Sequence, residues 1–170
     1  MRVRSVPVLL VVAASSGAGK TTLLEGLIPA LAARGVRTAI VKLTHHDIDS
    51  DPEGKDSRRL RDAGATAAVL GAQRVTSLFV PRRLDVPALA AMAASAAPTD
   101  LVLVEGGRDV PDLPRIEVVP TGGTLHTQDR SVLVAIACEN ECAPEGVPSF
   151  ARSDAEGLAA HVGSWLAQHA

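Results

Sequence analysis

Tyrosine is absent from this chain, and its aromatic residues are Phe79, Phe150 and Trp165 alone. With so few aromatic faces, the bases of a single strand have no platform to stack on. An excess of positive charge is missing too. The formal net charge is −2, so no basic field exists to hold a nucleic acid by its phosphates. No apolar run is long enough to cross a bilayer, which takes about 20 residues as a helix. The cysteines are Cys138 and Cys142 alone, and one C-x3-C without a second pair is a poor zinc site. They read as two reduced thiols of a cytoplasmic protein, since disulfides are uncommon in that compartment. Internal repeats are also missing. What remains is 170 residues, 46% of them apolar. That is enough to bury a core, and it predicts one domain spanning 1–170.

The stretch "MRVRSVPVLLVVAASSGA" at the N-terminus has two readings. Arginines before an apolar run and small residues resemble a short secretory signal. The same run also reads as a buried first strand. The residues at its end decide for the strand. Residues 14–21, "ASSGAGKT", match the phosphate-binding pattern G-x-x-x-x-G-K-[ST], with Ala14 in place of the first glycine. A cleavage near Ala14 would cut this loop.

The chemistry of such a loop is specific. Gly17 and Gly19 let successive amides turn toward one centre, and the helix that starts near Lys20 adds its positive end. Lys20 reaches the β- and γ-phosphates, and the Thr21 hydroxyl ligates a bridging Mg²⁺. Ala14 is tolerated if its φ need not be positive.

Elements alternate along the chain. Strands are expected at Val6–Ala13, Thr38–Leu43, Ala67–Leu70, Val75–Val80, Leu101–Val104, Ile116–Val119 and Val132–Ala137. Helices are expected at Lys20–Arg34, Asp56–Ala63, Pro87–Ala97 and Asp154–Gln168. Pro29 should kink the first helix. Several strands are apolar throughout, which predicts an α/β fold: a mostly parallel sheet with helices on both faces. In "DLVLVEGG", an apolar strand ends in Glu105. That is the shape of a Walker-B strand, with its carboxylate near the Mg²⁺ at the carboxyl edge of the sheet.

The loop "THHDIDSDPEGKDS" is harder to read. Asp47, Asp49 and Asp51 imitate an EF-hand, but Pro52 stands where that loop needs glycine and Arg58 where it needs glutamate. His45 and His46 point to opposite sides of an extended chain, which disfavours a shared metal. The loop therefore reads either as a solvated charge run or as a segment ordered by a bound nucleotide.

These segments, with "LRDAGA" and "LVLVEG", occur in an order and at a spacing that resembles the molybdopterin-guanine dinucleotide biosynthesis protein B (MobB) family. The resemblance covers roughly Val8 to Val119, and it implies a P-loop GTP-binding protein of the same broad class as dethiobiotin synthetase. It implies a homodimer and an adaptor role beside the nucleotidyltransferase that joins GMP to molybdopterin. It also implies slow Mg²⁺-dependent GTP hydrolysis.

Carried over, Ser16, Gly17, Ala18, Gly19, Lys20, Thr21 and Thr22 would bind the phosphates, and Thr21 and Glu105 would hold Mg²⁺. His45, His46 and Asp47 would line the site together with Lys55, Asp56 and Ser57. Lys20 would stabilise charge on the β–γ bridge, while Glu105 or Asp47 would position the attacking water. Leu43 stands where the family commonly has histidine. Gly107-Arg108 replaces Phe-Lys, and Arg108 keeps the charge for a phosphate or pterin contact. An N-K-x-D box is absent; a carboxylate could accept the guanine N1 and N2 protons instead, and Glu139, after the last strand, is a candidate by position. Two rival functions remain: an ATP-dependent small-molecule kinase or ligase of the dethiobiotin-synthetase type, and a nucleotide-gated metal-delivery regulator using His45 and His46.

Overall fold

The computed structural model describes residues 6–46, 55–139 and 143–169. Packing divides the chain into two compact units, Met1–Leu43 with Val86–Ala170, and Thr44–Asp85.

The larger unit is built on a six-stranded sheet. Its strands are β1 (Val8–Val12), β2 (Thr38–Lys42), β5 (Leu101–Glu105), β6 (Arg115–Val119), β7 (Leu133–Cys138) and β8 (Ser149–Phe150). They lie in the order β2-β5-β1-β6-β7-β8, and every pairing is parallel. The sheet is buried on both faces, which explains the unbroken apolar runs. Side chains alternate across a strand. Leu9 and Val11 of β1 therefore join a core under α1 (Lys20–Ala33) and α4 (Ala155–His169), whereas Leu10 and Val12 join a core under α3 (Val86–Ala96). Leu23, Leu24, Leu27 and Leu31 form the buried stripe of α1, which runs on through Pro29. In α4, Leu158, Val162 and Leu166 are buried, and Trp165 is half-buried. Asp154 precedes α4 as its cap, its Oδ1 accepting from the Gly157 amide at 2.9 Å.

The smaller unit holds α2 (Asp56–Asp62) and an antiparallel pair, β3 (Ala68–Gly71) with β4 (Thr76–Phe79). Sequence reading finds both strands but cannot assign them to a separate sheet. A parallel partner needs a crossover of about a dozen residues, and here the Ala72 amide bonds the Val75 carbonyl at 2.9 Å to close a hairpin. Sequence reading misses β8, whose two residues are too short to carry a period. It also reads both cysteines as reduced thiols, but Cys138 is not a free thiol. Cys142 lies outside the described residues.

At the edge of the sheet away from the phosphate loop, Arg37 leads into β2 and Asp100 into β5. Arg37 donates from its amide and Nε to Asp100 Oδ2, each at 2.8 Å, and from Nη2 to Oδ1 at 2.6 Å. The side-chain bonds, then the amide bond, hold the Asp100 carboxyl down at about 2. An unfolded aspartate titrates near about 3.9, so between these values the unfolded chain binds more protons and folding weakens as pH falls. The pair is substantially exposed, so the effect is small and screened by salt. In acid titrations followed by circular dichroism, Asp100→Asn should remove part of the stability loss between about pH 4 and pH 2. A loss identical to the wild type would remove Asp100 as a contributor.

Candidate functional site

The phosphate loop leaves the carboxyl end of β1, at the centre of the sheet. The chain places β5 on one side of that strand and β6 on the other. This is the switch point where α/β sheets bind ligands. Gly17 and Gly19 adopt φ of 75° and 94°, values that favour glycine. Ala14 is not among the positive-φ residues, so alanine fits there without strain. Lys20 opens α1, and its Nζ donates to the Ser15 carbonyl of its own loop at 3.2 Å. The ammonium is thus folded back over the cradle of amides that phosphates would occupy.

The end of the loop where a metal is expected is formed by residues far apart in sequence. Thr21 Oγ1 donates to Glu105 Oε1 at 2.7 Å, and Lys42 Nζ lies 3.2 Å from Glu105 Oε2. Sequence reading assigns Thr21 and Glu105 to one Mg²⁺ without a contact between them, and it misses Lys42. The signal lies in register: Lys42 and Glu105 are paired residues at the ends of β2 and β5. A hydroxyl and a carboxylate at hydrogen-bond distance are a fitting protein donor set for Mg²⁺, which takes one or two such groups and completes its shell with phosphate oxygens and water. Among the described residues no group of three His, Cys, Asp or Glu is placed to hold a metal.

Gly106 and Gly107 come directly after Glu105, with φ of 105° and 79°. A Cβ on either would lie 3.3 or 3.2 Å from Leu43 side-chain atoms. Leu43, where the family pattern commonly has histidine, thus packs on the Gly-Gly turn, and its amide bonds the Glu105 carbonyl at 3.0 Å. Arg108 then reaches back, with Nη1 donating to the Ala14 carbonyl at the start of the phosphate loop. The loop that carries Arg108 is held from below by buried Arg115. Its Nε and Nη1 donate to the carbonyls of Leu113 and Arg108, both at 3.2 Å, and its Nη2 donates to that of Val110. Nothing in the sequence distinguishes Arg115 from a surface charge at a strand start.

On the other flank, Glu139 comes after β7 and accepts from Arg152 Nε at 3.3 Å. Arg152 also lies against the phosphate loop, with Nη1 3.4 Å from where a Cβ on Gly19 would stand. Sequence reading does not find Arg152. The remaining expected residues belong to the smaller unit, where His45 and His46 are exposed and Lys55 precedes α2. Asp47 lies outside the described residues.

Residues 8–139 match the family model for molybdopterin guanine dinucleotide synthesis protein B, MobB. The chain is 39% identical over 166 residues to the molybdopterin-guanine dinucleotide biosynthesis adapter protein of Escherichia coli K12, covering 93% of each chain. It is 41% identical over 110 residues to the protein of the same name from Haemophilus influenzae, covering 64% of this chain and 61% of that one. Among solved structures, a molybdopterin-guanine biosynthesis protein B superposes with a TM-score of 0.65 at 25% identity, covering 94% of this chain and 99% of that one. The Bacillus subtilis MobB structure also gives 0.65, at 22% identity over 93% and 96% of the two chains. With both its family match and its nearly full-length relative in agreement, this chain belongs to the MobB family.

Proposed function

We infer that the chain is an adapter protein in molybdopterin-guanine dinucleotide biosynthesis that binds GTP with Mg²⁺ at its phosphate loop. The adapter role is taken from the relatives, of which the Escherichia coli protein carries that name over 93% of this chain. They do not favour the kinase or ligase alternative. The observation that carries nucleotide binding is the 2.7 Å contact of Thr21 Oγ1 with Glu105 Oε1 beside a loop shaped for phosphates.

When bound, Mg²⁺ would draw charge from the β- and γ-phosphates. The chain's own parts are simpler to assign. Amides of Ser16 to Thr22 would cradle the phosphates, and Lys20 would leave Ser15 for the β–γ bridge. Lys42 would hold the Glu105 carboxylate in its orientation. Glu105, or Asp47 on the family pattern, would align water. His45, His46 and Lys55 enter this reading on the family pattern alone. Hydrolysis is slow in this reading, and the binding energy serves recognition of the partner nucleotidyltransferase. A phosphate or pterin contact at Arg108 belongs to the same reading. So does a cytoplasmic setting. Among the described residues, no helix is long and apolar enough to cross a membrane.

A homodimer belongs to it as well. In the hairpin of the smaller unit, Val69 is 67% exposed, and Leu70, Val75 and Leu78 are exposed with it. Apolar surface of this kind favours burial against a second copy. Sedimentation equilibrium giving only monomer would remove this part.

The deciding experiment is calorimetric titration of GTP and of ATP, each with and without MgCl₂. GTP should bind in preference to ATP and more tightly with the metal. Preference for ATP would favour a kinase or ligase, and binding of neither would leave the adapter role without its nucleotide.

A further inference from the structure

Gly26 on α1 has no side chain, and a Cβ there would lie 3.2 Å from the Cβ of Ala155 at the start of α4. This close approach brings the segment before α4 up to the phosphate loop. Arg152 arrives against Gly19 for that reason, and it arrives already bonded to Glu139. The two side chains are 32% and 40% exposed, and so exposed a pair adds little to folding. Fold stability therefore gives little reason to hold a guanidinium on a glycine of an anion cradle.

Charge is laid out in order along the carboxyl edge of the sheet. Glu105, Lys42 and Thr21 gather on the β5 side of the phosphate loop, whereas Glu139 and Arg152 gather toward β7. A nucleotide whose metal-bound phosphates face Glu105 would extend its nucleoside toward Glu139. Arginine presents several donors in a planar fork. Arg152 uses Nε for Glu139 and keeps Nη1 beside Gly19. A lysine offers one point charge and cannot hold both groups in fixed geometry.

We propose that Arg152 is a nucleotide-contacting residue that couples phosphate binding to base choice. Its Nη groups donate to phosphate oxygens over Gly19. Its Nε holds the Glu139 carboxylate in place to accept from the N1 and N2 protons of guanine. The proposal rests on the reading of the phosphate loop as a nucleotide site.

The test is calorimetry of GTP, ATP and inorganic tripolyphosphate against the wild type, Arg152→Ala, Arg152→Lys and Glu139→Gln. A charge-assisted hydrogen bond of about 1.5–3 kcal/mol corresponds to roughly 10- to 100-fold in affinity. Arg152→Ala should therefore weaken tripolyphosphate by about tenfold or more and GTP by more than that. Arg152→Lys should recover tripolyphosphate binding but not the preference for GTP over ATP. Glu139→Gln should leave tripolyphosphate unchanged and lower that preference. Both residues are part-exposed, and thermal melts check that each variant is folded. Wild-type GTP binding with Arg152→Ala unaltered for all three ligands overturns the proposal alone. A wild type that binds neither GTP nor tripolyphosphate overturns the nucleotide reading and this proposal with it.

Discussion

Lys20→Ala is expected to abolish useful nucleotide binding while leaving the protein folded. The ammonium makes one bond, to the Ser15 carbonyl of its own loop, so its loss exposes no buried group and should barely move the melting temperature. With nucleotide bound, the same ammonium would contact both the β- and γ-phosphates. Two charge-assisted contacts at about 1.5–3 kcal/mol each correspond to roughly 10²–10⁴-fold in affinity. In thermal melts, a saturating nucleotide stabilises only a protein that binds it. Mg²⁺-GTP should thus raise the wild-type midpoint and leave that of Lys20→Ala unchanged. Lys20→Arg should also bind poorly, because the broader guanidinium does not fit the amide cradle as a point charge does. A Lys20→Ala protein that keeps wild-type affinity would show that the nucleotide, if bound, lies elsewhere.

Glu117→Ala is expected to have the largest effect on stability. Glu117 lies in the middle of β6 and is fully buried. Its Oε1 accepts from the His126 amide and its Oε2 from the Thr127 amide at 2.9 Å, fixing the long segment that returns to β7. Alanine would leave the buried Thr127 amide and the part-buried His126 amide without their acceptor, and an unpaired buried amide costs about 1–3 kcal/mol. For a chain of this size, each kcal/mol lowers the melting temperature by about 2–4 °C. The expected drop is on the order of 10 °C. Glu117→Gln keeps one acceptor oxygen and should lose less. Equal melting temperatures for Glu117→Ala and the wild type would show that the segment holds without the carboxylate.

Glu117 also shows where reading the sequence stops. The period and composition of residues 116–119 identify a buried strand, and the acid within it gives no sign of its partners. They are backbone amides about ten residues on, in a stretch without a period. Arg115 is similar: a cation at a strand start, whose three carbonyl acceptors come from the loop it closes on.

The phosphate loop, the strand before it and the helix after it were legible in the residues alone. These depend on residue types at fixed local spacing: glycines for positive φ, apolar runs for a sheet covered on both faces, and a leucine stripe for α1. Glu105 was legible as an acid at the edge of the sheet where the phosphate loop begins, because it ends a Walker-B-shaped strand; its bond with Thr21 was not. The order of the motifs pointed to the MobB family. Which charges meet was settled by tertiary packing. Lys42 reaches Glu105 through strand register, Arg108 reaches Ala14 through a loop held by Arg115, and Arg152 reaches Gly19 because Gly26 lets α4 approach α1. Each is a contact between segments distant along the chain. Local propensity carries no record of such contacts, because they form only when the sheet order and helix packing bring the segments together.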